Sequence, residues 1–283
     1  MANIALVTAT SLPKPDLESH LLLEAFRRRD VSATLVPWDA AFDWTSSDLV
    51  VIRTPWDYFQ RLDEFLQWAE YVDSVTNLVN PAKVLRWNTH KSYLLDLAAA
   101  GVPVVPTQVL PKGTDSVSPD QLPTEAEVVV KPAVSIGAIG ALRAYANDPQ
   151  TAAHIIELAA AGDVLVQPFV PSVLESGETS LMFARGQLSH AVQKIPSPGE
   201  YRVQDHHGGS VHLHRATADE IAIALAALDV TPSTVTYARV DLVSTDRGPI
   251  VMELELVEPA LFLDVDTSSP ATFADAFLSV IEE

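Results

Sequence analysis

The sequence predicts an α/β protein with a parallel sheet in its N-terminal part and an antiparallel sheet in its C-terminal part. Three observations predict it. Short apolar strand patterns alternate with helical patterns up to about residue 80, the signature of a parallel sheet. From about residue 179, strand-like runs follow one another directly around turn residues, as in antiparallel hairpins. Between them a passage with Pro103, Pro106, Pro111, Pro119 and Pro123 reads as a connection rather than as low complexity. No internal repeat is visible.

In chain order, 4–8 reads as a short buried strand. Pro15-Asp16 opens a helix with Leu22, Leu23, Ala25 and Phe26 on its apolar face, and Arg27, Arg28 and Arg29 complement its C-terminal dipole. Residues 33–36 and 49–52 read as strands, and 61–72 as a helix with Leu62, Phe65, Leu66, Ala69 and Val72 on one face. A strand at 78–79 closes at Asn80-Pro81. Asn88 is a suitable N-cap for a helix that carries Lys91 and stops at Gly101. Strands at 127–130 and 163–170 flank a helix at 151–161. A hairpin pairs 179–184 with 188–193 around Arg185-Gly186-Gln187, Thr217 and Glu220 form a capping box for a helix to about Leu228, and 271–281 is a closing helix.

Composition excludes several classes. With 18 basic against 37 acidic residues the net charge is −19, a field that repels nucleic acid and anionic membranes. No apolar run is long enough to span a bilayer, and the first residues lack a basic n-region, so neither a membrane segment nor a signal peptide is expected. The absence of cysteine removes disulfides, thiolate metal sites and cysteine nucleophiles, and a cytoplasmic protein is expected.

The chemistry concentrates in RVDLVSTDRGPIVMELELVEP, residues 239–259. Two β-rich runs, 238–244 and 249–257, flank Asp246-Arg247-Gly248, which reads as a short hairpin loop. A hairpin centred on Arg247 places Asp241 opposite Glu253, with Glu255 on the same face because side chains alternate along a strand. Three carboxylates then converge, each pair repelling by about 3 kcal/mol at roughly 5 Å and an effective dielectric of about 20. A hard cation, Mg²⁺ or Mn²⁺, would offset that repulsion; the alternative is a solvated acidic strand face. Arg53-Thr54-Pro55-Trp56-Asp57-Tyr58 is polar and aromatic at the C-terminal end of a strand, where open α/β sheets place ligands, so Trp56, Asp57 and Tyr58 are substrate-site candidates.

Four pieces in order carry a resemblance: Lys91 ahead of an A-G-V-P turn, VVVKPAVSIGAIG around Lys131, VQPFV followed by Gly177-Glu178, and RVDLV…MELELVEP. Over roughly residues 80–260 this set resembles the ATP-grasp superfamily, which includes D-alanine–D-alanine ligase and glutathione synthetase. The resemblance implies an N-terminal α/β domain at 1–84, a central lobe at 85–166 and a C-terminal lobe at 167–283 with the metal site. It implies that Lys91 and Lys131 contact the nucleotide phosphates, under a small-residue lid at 133–140 that includes Ser135. Gln167, Phe169 and Val170 then form the hinge that holds adenine, Glu178 accepts from the ribose hydroxyls with Glu175 as competitor, and Asp241, Glu253 and Glu255 hold Mg²⁺. Many members carry Asn at the position of Glu255.

The passage from Lys194 through Arg202 to Gly208-Gly209 resembles the arginine-then-Gly-Gly segment of glutathione synthetase-like enzymes. It implies that Arg202, supported by Arg239 and Lys194, stabilises transition-state charge, with Gly208 and Gly209 holding the reacting groups. A rival reading takes His206, His207, His212 and His214, half of the eight histidines, as a zinc site. RTPWDY, KPAVS, VQPFVPSV, GEYRVQ and MELELVEPALFL together look like the actinobacterial cycloserine synthetase group, in which O-ureido-D-serine is activated by ATP and cyclises. The aliphatic lid SIGAIGALR and Ala260 depart from that group's pattern.

The function implied is an ATP- and Mg²⁺-dependent ligase that joins a small-molecule carboxylate to a nitrogen nucleophile through an acyl phosphate. The alternatives are an intermolecular amino-acid or peptide ligase of the glutathione synthetase-like type, a nucleotide-binding module without turnover, and a zinc hydrolase built on the histidines. Neither nucleic acid nor membrane is an expected partner, and homo-oligomerisation stays open.

Overall fold

In the computed structural model the described residues are 2–12, 16–123, 126–203 and 208–282. They form three sheets in chain order. The first holds β1 (Asn3–Thr8), β2 (Ser32–Pro37), β3 (Leu49–Thr54) and β4 (Asn77–Val79), all parallel, in the order β2-β1-β3-β4. Helices α1 (Leu17–Arg27) and α2 (Leu62–Val75) connect them. Asp16 caps α1, accepting from Ser19 N–H (2.9 Å); of the basic run, Arg29 donates to the Ala25 carbonyl (2.9 Å), while Arg27 and Arg28 pair with Glu24. β3 is buried along its whole length, which explains the apolar run 49–52 that precedes Arg53 and Thr54.

Helices α3 (Ala82–Asn88) and α4 (Tyr93–Ala99) lead into the central antiparallel sheet, β5 (Gln108–Leu110), β6 (Glu127–Pro132), β7 (Leu142–Tyr145) and β8 (Val164–Pro168), in the order β5-β8-β6-β7. Helix α5 (Pro149–Ala159) packs on it. A short helix, α6 (Ser172–Ser176), precedes the third sheet. That sheet is antiparallel: β9 (Glu178–Ala184), β10 (Gln187–Ile195), β11 (Ser210–His214), β12 (Tyr237–Thr245) and β13 (Gly248–Glu255), in the order β11-β10-β9-β12-β13. Helix α7 (Ala218–Asp229) opens with the expected Thr217/Glu220 capping box, and α8 (Ser269–Leu278) closes the chain. Among the described residues no helix is long and apolar enough to cross a membrane.

Two expectations change. Asn88 does not cap the next helix; it ends α3, and its side chain donates to Leu254 O (2.8 Å) and accepts from Leu256 N–H (2.7 Å). It pairs with the edge of the acidic strand as a further strand would, a demand stronger than a helix cap because those backbone groups are buried. Lys91 accordingly sits in the turn before α4, not on a helix. The strands β5 and β7 were not anticipated, since one lies in the proline-rich connection and the other follows the glycine-containing loop.

One face of the third sheet changes character along its strands. At one end Met182, Val192 and Tyr237 pack with Leu6, Leu22, Phe26, Leu49 and the phenylalanines of α8, joining the third sheet to the first in a single core. At the other end Val243, Ile250 and Met252 form an apolar floor with Val105, Val170, Val173 and Val203. The charged residues lie between.

Candidate active site

The hairpin of β12 and β13 places Asp241 opposite Glu253, and Arg239 opposite Glu255. The expected pairing therefore stands, by a different route. The turn is Asp246-Arg247, with Thr245 paired to Gly248, a register that carried on regularly would bring Asp241 opposite Met252. A bulge between Leu242–Val251 and Asp241–Glu253 inserts Met252 as an extra residue and restores the acidic register. Carboxylate oxygens of Asp241, Glu253 and Glu255 lie within 4.8 Å of one another, and they form the sole cluster of metal-ligating type among the described residues. His212 contacts Ser210 and His214 contacts Glu220, and neither belongs to such a cluster. His206 and His207 lie outside the described residues.

The repulsion inferred for the three carboxylates is offset in large part by the chain's own cations. Arg239 is buried and bidentate on Asp241 (2.9 Å from Nε and 2.9 Å from Nη2), and its Nη2 also reaches Glu255. Its Nη1 donates to Ala260 O (3.1 Å). Lys194, from β10, pairs with Glu178 at the start of β9 and stands 3.4 Å from Asp241. Lys131, at the end of β6, crosses from the central sheet to Glu253 (2.7 Å). Crowding of acids is thus not in itself evidence for a metal. The donor set nevertheless fits one: Glu253 and Glu255 remain partly exposed, and the protein partners of each fall on one oxygen, leaving the other available among the described residues. Asp241 is fully buried, with both oxygens engaged by Arg239 and a further bond from Ser180.

The charges follow this pairing. Burial pushes the Glu253 carboxyl up, but Lys131, with Lys91 behind it, holds it at about 2. Burial likewise opposes ionisation of Asp241, and Arg239 and Lys194 hold that carboxyl well below its ordinary range. Burial raises Glu255 and Glu178 despite the attraction of Arg239 and Lys194 respectively.

Lys91 donates to Ser135 O (2.8 Å), and its own N–H bonds Ala133 O (2.8 Å), so the turn before α4 clips the start of the 133–140 loop. Ser135 is buried, its hydroxyl toward Pro132 O (3.4 Å). Gly140 has φ +75, and a Cβ there would meet Pro132 Cγ at 3.0 Å. At the hinge, Gln167 is buried and donates to Thr107 Oγ1 (2.9 Å). Phe169 N–H donates to Glu127 O (2.9 Å), which occupies one of the backbone groups expected to meet adenine. The Phe169 ring lies 3.7 Å beneath the Arg143 guanidinium, and Val170 joins the apolar floor. Glu175 is exposed on α6, while Glu178 is inside the cluster.

Arg202 is turned onto Glu200, which it grips through Nε (3.0 Å) and Nη2 (2.6 Å), beside the Tyr201 ring, which itself meets Phe169 edge-on. No bond joins Arg202 to the acidic cluster among the described residues. Gly208 (φ +83) approaches Ser197 and is exposed, and Gly209 is partly exposed beside it. In the first lobe, Asp57 accepts from Trp38 Nε1 (2.9 Å) and Trp56 is half-buried. Tyr58 is buried against Phe65, ring centroids 4.8 Å apart, with its hydroxyl toward Glu258.

Sequence reasoning gave no role to Glu258 or Glu18, and included Arg53 only in the candidate stretch 53–58. Glu258 follows the acidic strand, and burial together with Glu255 raises its carboxyl to about 8. Glu18 accepts from Leu261 N–H (2.8 Å) and Phe262 N–H (2.9 Å), and the fully buried Arg53 holds Pro259 O (3.0 Å) and Glu18 (3.1 Å). Only the run MELELVEP, acidic one residue beyond the expected strand end at 257, signalled the first of them.

Comparison with known proteins identifies the family. Residues 4–80 match the family described as D-cycloserine synthetase DcsG, N-terminal domain, and residues 91–261 match the RimK-like ATP-grasp domain. The chain is 38% identical over 300 residues to the cycloserine biosynthesis protein DcsG of Streptomyces lavendulae, covering 98% of each chain. It superimposes on a crystal structure of D-cycloserine synthetase DcsG with a TM-score of 0.87 and 34% identity, covering 99% of this chain and 100% of that one. An ATP complex of D-alanine–D-alanine ligase from Bacillus anthracis shares the fold, with a TM-score of 0.67 at 13% identity over 100% of this chain and 98% of that one.

Proposed function

This chain belongs to the RimK-like ATP-grasp family and is an ATP-dependent ligase; from that premise we propose that it activates the carboxylate of O-ureido-D-serine and closes the ring of D-cycloserine. The observation that carries the reading is the placement of Asp241, Glu253 and Glu255 on one sheet face, with Lys131 and Lys91 entering from the central lobe. Cations from one lobe and oxygen ligands from the other meet where a triphosphate would lie. Glu253 and Glu255, with Asp241 beside them, would hold Mg²⁺, which would supply neutralisation of phosphate charge. Lys131 and Lys91 orient the γ-phosphate, and the apolar floor of Val170, Val243 and Met252 receives the base.

In the first step a substrate carboxylate oxygen attacks the γ-phosphorus, the bond to the β-phosphate oxygen breaks, and ADP leaves. In the second, the oxyamine nitrogen of the same molecule attacks the acyl carbon, the C–O bond breaks, inorganic phosphate leaves and the nitrogen loses its proton; water then hydrolyses the carbamoyl group from that nitrogen, releasing CO₂ and NH₃ and leaving D-cycloserine. The loop at 133–140, clipped by Lys91, keeps water from the acyl phosphate. Arg202 enters this scheme by exchanging Glu200 for the transferring phosphoryl group.

The test is Mg²⁺-dependent ADP formation across a panel of amino-acid carboxylates that includes O-ureido-D-serine, with the product identified by mass. Ring closure of O-ureido-D-serine is the expected result. Turnover of a different amino acid with an added amine would establish the intermolecular reading instead, and ATP binding without turnover of any member would sink the catalytic one.

A further inference from the structure

The buried acids around the cleft differ in what neutralises them. Glu178 has Lys194, Asp241 has Arg239 and Lys194, Glu253 has Lys131, Glu255 has Arg239, and Glu18 has Arg53. Glu258 differs from these five: among the described residues no basic side chain makes an ion pair with it. Its polar neighbour is the hydroxyl of Tyr58, while Lys91 and Arg239 act on it only through space and Glu255 opposes its ionisation. Tyr58 itself is held by the aromatic core of the first lobe, so the hydroxyl is fixed in place. Glu258 is half-buried, not sealed.

An enclosed carboxylate with no cationic partner is costly, and the cost is relieved when a cation arrives from outside. Pro259 and Ala260, which follow Glu258, are clamped by Arg53 and Arg239, so the segment cannot swing out to solvent. Glu258 lies three residues beyond Glu255 on the same chain segment. An α-amino acid whose carboxylate is being phosphorylated at Glu253, Glu255 and Lys131 carries its ammonium group one carbon away. We infer that Glu258, positioned by Tyr58, is the subsite for the α-ammonium group of the amino-acid substrate.

This inference rests on the reading of the chain as an amino-acid-activating ligase. Its chemistry is recognition of a primary ammonium, with no covalent step. The upward displacement of the free carboxyl to about 8 accords with a site that lacks its cation until substrate binds.

The experiment compares O-ureido-D-serine with 3-(ureidooxy)propanoic acid, the same molecule without its α-amino group, in ADP formation by the wild type, Glu258→Gln and Tyr58→Phe. The wild type should prefer the amino acid in kcat/KM by about 10- to 100-fold, the range expected for a charged hydrogen bond. Glu258→Gln should raise KM for O-ureido-D-serine by a similar factor and change turnover of the deaminated acid far less, so that the preference collapses. Tyr58→Phe should weaken it in the same direction by a smaller factor, with KM for ATP unchanged in both variants. Turnover with the preference intact in Glu258→Gln, or a loss in kcat alone that is equal for both compounds, overturns the subsite while leaving the ligase reading standing. Absence of ADP formation by the wild type from every amino-acid carboxylate sinks the ligase reading, and the subsite with it.

Discussion

Glu253 and Glu258 sit on one short run of chain, yet their surroundings send their carboxyls in opposite directions, to about 2 and about 8. Glu253 stays ionised because Lys131 touches it, and it offers its second oxygen outward. Replacement of Glu253 by Gln should lower ADP formation by at least about 100-fold, the scale on which one preorganised electrostatic partner contributes. ATP binding, read by equilibrium titration, should persist, and unchanged turnover would remove Glu253 from the metal site. For Glu258 the folded-state carboxyl binds its proton more tightly than the unfolded chain, whose ordinary value is 4.5. Its contribution to stability is therefore complete below pH 4.5 and is lost as pH rises toward 8. Glu258→Gln should flatten that fall, seen as a smaller loss of denaturation midpoint between pH 5 and 8 in metal-free protein; parallel curves would count against it.

At the scale of the element, the acidic site depends on one extra residue in its hairpin and on one glycine before β9. Met252 shifts the register so that Asp241 meets Glu253, and the same residue reaches the apolar floor. The pairing was legible from alternation, but the loop length and bulge were not: a three-residue loop and a two-residue turn followed by a bulge end in the same pairing. Gly177 precedes Glu178 with φ +70, and a Cβ there would lie 2.1 Å from the Lys194 carbonyl oxygen. Gly177→Ala should therefore destabilise by about 2–4 kcal/mol, from both the backbone conformation and the clash. Urea denaturation measures this, and a loss under 1 kcal/mol would show that β9 and β10 can part there. The strands β5 and β7 escaped sequence reading because each is short, lies on a sheet edge and is flanked by turn residues, so pairing with a neighbour rather than periodicity defines it.

Across the whole molecule, two asparagines tie the lobes together. Asn80, at φ +56, donates to Tyr237 O (2.9 Å) and Leu256 O (2.8 Å) and accepts from Thr236 N–H (2.8 Å). Asn88 does the same for Leu254 and Leu256, so the strand bearing Glu253 and Glu255 is held from behind. Asn88→Ala leaves a buried N–H and a buried C=O unpaired, and should cost about 2–4 kcal/mol in stability. It should also lower kcat more than ATP affinity, because the acidic strand loses its support. Thermal unfolding and steady-state kinetics check the two halves, and a variant with native stability would show that water replaces the side chain.

The sequence by itself determined the acidic trio and its common face, the order of lysines, hinge and hairpin, and the change from parallel to antiparallel sheet. Those properties are local: pleating alternates every second residue, and turn residues mark where strands reverse. Only the tertiary structure decided which charge meets which. Lys131 reaches Glu253 across 122 residues, Arg239 lies within the cluster, Arg202 turns to Glu200, and Glu258 is left facing a hydroxyl. Ion pairing in a cleft depends on burial and on the approach of distant segments, and neither is written in the spacing of residues along one strand.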